Sequence, residues 1–188
     1  STTDRAPFGS CLFVTLGCAK NEVDTDRMRA LLINAGFDEV RDVDDADVVI
    51  INTCSFLASA TSESIEATLE LADDVKDGVR SRPIIMCGCV PSRYGAELPD
   101  QLPEVAAFVR ADEEDGIVAV VRDVLGMGGA SFSNEATSRA LRTVEGASAY
   151  VKISEGCDRF CAFCAIPRIR GRYASRPEGE ILSEVERL

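Results

Sequence analysis

The chain has 188 residues, 46% of them hydrophobic and 28% charged, which is enough for one full core and part of another. No apolar run approaches the roughly 20 residues of a membrane-spanning helix, and Ser1-Thr2-Thr3-Asp4-Arg5 lacks the basic and apolar stretches of a secretory signal. The net charge of −12 sits in residues 1–147, which hold 13 Lys and Arg against 26 Asp and Glu, while residues 148–188 hold 7 against 6. Such an acidic part repels a nucleic-acid backbone and attracts basic partners, unless it serves solubility alone. Eight cysteines without an export signal predict a cytoplasmic protein whose reduced thiols do metal or redox work.

From residue 10 to 125 strand and helix patterns alternate, which predicts an α/β fold, an open, mainly parallel sheet flanked by helices. Residues 12–16 read as the first strand. Asn21 is placed as a helix cap with Asp24 in the first turn, and Met28, Leu31, Leu32 and Ala35 form the apolar stripe. Gly36 ends that helix. Residues 46–51 are a continuous apolar run, as buried parallel strands are. A helix is predicted near residues 59–77 with Ile65, Leu69 and Ala72 on one face. Strands follow at 83–86 and, more weakly, at 106–109, then a helix near 113–125. Residues 126–147 are rich in glycine and serine and read as a linker between a first domain, 1–125, and a second part, 148–188. Their glycines do not make a dinucleotide-binding pattern, and no phosphate-loop motif occurs. Residues 149–153 read as a strand and residues 177–188 as a helix with Ile181, Leu182, Val185 and Leu188 apolar.

Between that strand and that helix lies Cys157-Asp158-Arg159-Phe160-Cys161-Ala162-Phe163-Cys164, a C-x3-C-x2-C spacing on a glycine-led loop. Three thiolates this close can hold three corners of a cubane iron–sulfur cluster. The chain has no histidine and no fourth cysteine within reach, so one iron would stay open. A Cys161–Cys164 redox pair and a zinc knuckle are the competing readings. Cys18, Cys54 and Cys89 share a different address, each just past the carboxyl end of a predicted strand. In open α/β sheets ligands bind outside those ends, so the three loops can converge on a second metal centre, with Gly17 and Gly88 allowing tight turns. Buried free cysteines are the alternative. Cys11 and Cys87 are read as structural.

These blocks together resemble the methylthiotransferase family of radical S-adenosylmethionine (SAM) enzymes. Thr15-Leu16-Gly17-Cys18-Ala19-Lys20-Asn21, Asn52-Thr53-Cys54 and Gly88-Cys89 resemble the first domain's signatures, and residues 157–172 resemble the start of the radical SAM domain. The resemblance implies two 4Fe–4S clusters, an auxiliary one on Cys18, Cys54 and Cys89 and a SAM-binding one on Cys157, Cys161 and Cys164. It implies a one-electron cleavage of SAM, a radical abstraction of hydrogen, and transfer of a methylthio group. Phe163 fills the aromatic position that the family has just before its third cysteine. Arg159, Arg168, Arg170, Arg172 and Arg176 cluster around the loop, where they are read as stabilising SAM's carboxylate or the reduced cluster, or as a solvated face with salt bridges to the acidic part; Glu155 is read as orienting SAM or substrate. Leu16-Gly17-Cys18, Ser55-Phe56, Glu155-Gly156 and Ser175-Arg176-Pro177 look like the RimO-type branch, which modifies an aspartate β-carbon of a basic small-subunit ribosomal protein. The absence of a basic run after Cys54 is unlike the tRNA-modifying branch. An electron donor such as flavodoxin or ferredoxin is implied as a partner, with no membrane and no direct nucleic-acid contact. A radical SAM barrel needs roughly 200 residues, so residues 148–188 would supply only its first β/α unit and the chain would be an N-terminal piece. A tRNA adenosine methylthiotransferase, a non-catalytic iron–sulfur or zinc module and a dithiol oxidoreductase are the alternatives.

Overall fold

A computed structural model describes residues 8–77, 82–128, 142 and 147–188. Among them the main sheet has five parallel strands: β1 (Ser10–Thr15), β2 (Asp38–Val40), β3 (Val48–Thr53), β4 (Ile84–Gly88) and β5 (Val105–Arg110). Their order, β2-β1-β3-β4-β5, is that of a doubly wound sheet, and the chain reverses direction across the sheet between β1 and β3. The predicted α/β class is the observed one.

Period-two alternation in β3 divides the molecule into two cores. Val48 and Ile50 face one side, where they pack with Cys11, Ile85, Cys87 and Val109 against Met28 and Leu32 of α1 (Ala19–Asn34) and Ile117 and Val121 of α5 (Ile117–Val124). Val49 and Ile51 face the other, with Ile84, Met86 and Val105, against Ala72 of α2 (Ala58–Asp77), Val90 of α3 (Cys89–Tyr94), and Leu98 and Leu102 at and just beyond α4 (Leu98–Gln101). Every residue of β3 is buried, and each such aliphatic side chain stabilises the fold by about 1.5–3 kcal/mol.

Four expectations change. Cys18, not Asn21, precedes the first turn of α1, and Asn21 lies inside the helix and fully buried. Leu69 is exposed, because α2 lays Thr61, Ser64, Thr68 and Ala72 on the sheet, with Ile65 beside them. The helix expected near 113–125 starts as a 3₁₀ turn at Glu114–Gly116 before α5. Residues 149–153 form no strand; β6 (Ser154–Glu155) pairs antiparallel with β7 (Ala174–Ser175) instead. Between those two short strands lies α6 (Ile166–Ile169), and α7 (Glu178–Val185) follows. Most of the linker expected at 126–147 lies outside the described residues. Arg142 within it is buried, donating to Glu184 at 2.8 Å, to Asp26 at 3.1 Å and to the carbonyl of Tyr150. Among the described residues no helix is long and apolar enough to cross a membrane.

Candidate metal centres at the strand-end edge

β1, β3 and β4 are neighbours and parallel, so their carboxyl ends share one edge. Cys18 follows β1 by three residues, Cys54 directly follows β3 and Cys89 directly follows β4. Cys18 and Cys54 thus flank the point where the chain changes direction across the sheet, which is where ligands of doubly wound sheets bind. Cys18 is exposed, whereas Cys54 and Cys89 are 7% and 6% exposed.

A knot of buried polar side chains holds these loops. Asn21 donates to the Asn52 side-chain oxygen at 3.2 Å and to the carbonyl of Thr53 at 2.8 Å. Asn52 donates in return to the carbonyl of Asn21 at 3.0 Å and to Thr25 Oγ1 at 3.1 Å. The Cys18 thiol donates to Asn21 Oδ1 at 3.4 Å. Ser64 on α2 clamps Cys54 on both sides of its peptide, accepting from its amide at 3.1 Å and donating to its carbonyl at 3.0 Å. Thr53 Oγ1 donates to the carbonyl of Cys87 at 2.6 Å and accepts from the amide of Val90 at 3.3 Å. Buried polar groups are costly unless paired, and these pair with one another.

Two glycines set how closely the loops approach. A Cβ on Gly17, at φ +100°, would stand 2.5 Å from Cys54 Cβ and 3.0 Å from its sulfur. A Cβ on Gly88, at φ +92°, would stand 2.2 Å from the Asn52 side-chain oxygen. No other residue type fits either place. The Cys18 loop therefore lies directly against Cys54 only because Gly17 has no side chain.

Burial pushes the Cys89 thiol up from its ordinary value, and the Arg170 guanidinium, which hydrogen-bonds it, pulls the other way. The nearby Cys54 thiol adds to the upward push. Cys11 and Cys87 differ from the edge cysteines. They lie inside β1 and β4, 1% and 0% exposed, and burial pushes Cys11 to about 12 and Cys87 well above its ordinary value. A thiol held protonated in apolar surroundings is inert, in keeping with a structural role.

Cys157, Cys161 and Cys164 share one loop whose base is the β6–β7 ladder and the bond from the Cys157 amide to the carbonyl of Gly171 at 3.1 Å. Cys161 and Cys164 are joined by a tight turn, the Cys164 amide donating to the Cys161 carbonyl at 3.0 Å. Cys161 is exposed and the other two are half-buried. Phe160, at φ +46°, takes a left-handed conformation that bulky residues avoid, so the loop stores strain between its first two cysteines. Asp158 accepts from Arg172 Nε at 3.0 Å and from the Tyr173 amide at 3.1 Å. Phe163 is 93% exposed.

Glu155 and Arg170 stand together, 3.5 Å apart. Burial raises the Glu155 carboxyl, but Lys152, Arg170 and Lys20 outweigh it and hold it at about 2. Arg170 donates to Asp24 and to Asn21 Oδ1 at 3.3 Å, so this residue of the second part reaches the polar knot of the first. All eight cysteines are free thiols. Among the described residues no three Cys, Asp or Glu side chains stand at metal-holding spacing. The donor set nonetheless fits a thiolate-held centre, since the three edge thiols are unpaired by disulfides and Gly17 brings the Cys18 loop directly against Cys54. The sequence pattern found the cysteines and the Asn52-Thr53-Cys54 block; it missed the hydrogen bonds Asn52 makes there, and Thr25 on α1 and Ser64 on α2, which carry no local signal.

Residues 10–110 match the family described as "Uncharacterized protein family UPF0004". The chain is 42% identical over 182 residues to the ribosomal protein uS12 methylthiotransferase RimO of Chlorobium chlorochromatii, an alignment covering 97% of this chain and 40% of the relative. It is 38% identical over 178 residues to that of Anaeromyxobacter sp. (strain K), covering 93% and 38%. It is 41% identical over 183 residues to that of Symbiobacterium thermophilum, covering 94% and 37%. The chain thus spans about two-fifths of the length of these curated relatives.

Proposed function

This chain belongs to the UPF0004 family, and on that premise we propose that it is part of a radical SAM methylthiotransferase that acts on an aspartate of ribosomal protein uS12. The observation that carries the reading is the gathering of Cys18, Cys54 and Cys89 at one edge of three adjacent parallel strands, with the segment bearing Cys157, Cys161 and Cys164 ion-paired to that edge. Relatives bearing the uS12 methylthiotransferase name support the substrate assignment.

In this reading Cys18, Cys54 and Cys89 hold one iron–sulfur cluster, and Cys157, Cys161 and Cys164 hold a second that takes SAM. When bound, these groups supply the one-electron and sulfur chemistry that side-chain acids and bases cannot perform on an unactivated C–H bond. The protein's own contribution is placement. Ser64 fixes the Cys54 peptide, Asn21 and Asn52 lock α1 to the end of β3, and Gly17 lets the Cys18 loop lie against Cys54. Phe163, Glu155 and Arg170 belong to the SAM side of the site. The acidic surface of residues 1–147 draws a basic ribosomal protein by long-range attraction. A one-electron donor such as flavodoxin or ferredoxin completes the partners, and the reaction takes place in the cytoplasm.

Anaerobic reconstitution with iron and sulfide tests the reading. Two cubanes give about eight irons per chain. Zinc, or no metal, in the reconstituted protein overturns it. For the substrate, the mass of uS12 from cells with and without the full-length gene should differ by one methylthio group.

A further inference from the structure

Asp24 has no exposed surface, yet both of its carboxylate oxygens are taken by cations from the far segment. Lys152 Nζ reaches Oδ1 and Arg170 reaches Oδ2. The two cations flank the three-cysteine loop, Lys152 five residues before Cys157 and Arg170 six residues after Cys164. Glu155 forms a second tier, with Lys152 at 2.8 Å, Lys20 at 3.1 Å and Arg170 at 3.5 Å. Lys20 and Asp24 both lie on α1, whose start is Cys18. Arg170 further donates to Asn21 at 3.3 Å, so it contacts the polar knot that holds the first cysteine set.

We propose that Asp24 is a positioning residue, clasping both ends of the 157–164 loop to the edge that carries Cys18, Cys54 and Cys89 and so fixing the two cysteine sets relative to each other. The clasp rests on the ion pairs; its catalytic purpose rests on the reading that both sets hold metal. Buried ion pairs are poor sources of stability compared with apolar packing, and their best-attested use is to set register. Here the register is that of two segments far apart in sequence. The same geometry assigns Arg170 to the clasp, since its side chain is only 6% exposed and its guanidinium meets Asp24, Asn21 and Glu155.

Amide hydrogen exchange on the 188-residue chain tests this with Asp24→Asn and Lys152→Met, which remove the pair from opposite sides. The amides of Cys157, Cys164 and Arg176, all hydrogen-bonded in the loop or at its base, should exchange at least about tenfold faster in both variants while those of β1, β3 and β4 keep their rates. Lys152→Arg, which keeps the charge, should restore slow exchange. Unchanged exchange of the loop amides in both variants overturns the clasp. A rise spread evenly over the sheet in both also overturns it, because Asp24 would then serve the core alone. Iron content is a separate readout. Absence of iron from the wild type would remove the metal reading and leave the exchange data to decide the clasp.

Discussion

Cys11 and Cys18 lie seven residues apart and in opposite settings, one 1% exposed inside β1 and the other open at the strand-end edge. Burial, with Asp47 and Glu39 nearby, holds the Cys11 thiol protonated to about 12. The unfolded chain ionises this thiol near its ordinary value of 9.0. Stability from this residue is therefore complete below that pH and declines as pH rises from there towards 12, by at most about 1.4 kcal/mol per pH unit. Cys11→Val should flatten the alkaline limb of a stability–pH curve measured by urea unfolding; an unchanged limb would show that Cys11 does not set it. Brief alkylation near neutral pH should label Cys18 and Cys161 and spare Cys11 and Cys87, as mass mapping would reveal. Gly17→Ala forces a Cβ to 2.5 Å from Cys54 Cβ and a residue with a side chain into positive φ, at a cost of about 1–3 kcal/mol. It should lower iron uptake at the Cys18, Cys54 and Cys89 set more than at the loop. Retention of full iron with wild-type stability would remove the steric argument. At this scale the sequence was legible where chemistry marks a residue. Cysteines announce themselves, while Ser64 is one hydroxyl among many and only the packed helix shows that it clamps Cys54.

Strand β3 and helix α1 show where pattern succeeds and fails for whole elements. The apolar run at 46–51 locates β3 to within two residues because a central parallel strand is buried on both faces. Strand β2 has no such signature: it is three residues, Asp38, Glu39 and Val40, at the sheet edge, and charge there keeps an edge from pairing with other chains. In α2 the pattern favoured Leu69 over Ser64 and Thr68, yet α2 rests on the sheet through Thr61, Ser64 and Thr68, each of which donates to a backbone carbonyl. The joint between α1 and β3 depends on Asn52. Asn52→Ala removes one acceptor from the Asn21 side chain and one donor each from the Asn21 carbonyl and from Thr25 Oγ1, which keeps the hydroxyl of Thr15. Unsatisfied buried groups cost about 1–3 kcal/mol each. Chemical denaturation should show a loss of that order, and a loss below about 0.5 kcal/mol would mean that water replaces Asn52 freely. On α7, Leu182 and Val185 are half-exposed at 54% and 52%. Polar substitution of either should change stability by less than about 0.5 kcal/mol in this chain.

The molecule as a whole is held together unevenly. Residues 10–125 enclose two apolar cores, one on each face of the sheet. Among the described residues of 147–188, Ile169 is the one buried hydrophobic side chain, and ion pairs carry much of the attachment: Lys20 with Glu155, Lys152 and Arg170 with Asp24, Arg142 with Asp26 and Glu184. Apolar burial supplies most of the free energy of folding, so a segment that lacks it opens at lower cost than the sheet. The apolar stripe of α7 is legible in the sequence, but which acidic residue each cation of this segment meets is not, because no local pattern links Asp24 to residues more than 120 positions away. Salt should act selectively on them. Lys20 and Glu155 have side chains 44% and 29% exposed and are screened, whereas Arg170 and Asp24 at 6% and 0% are not. Limited trypsin digestion should therefore cut first after the exposed Arg159 and Arg172, before the fragment containing residues 10–125 is lost. Raising salt from about 0.1 to 1 M should speed those cuts only modestly, because the buried pairs at Asp24 persist. Cleavage of both regions at one rate would mean that residues 147–188 unfold with the sheet as a single cooperative unit, and the ionic attachment would then be as strong as the apolar one.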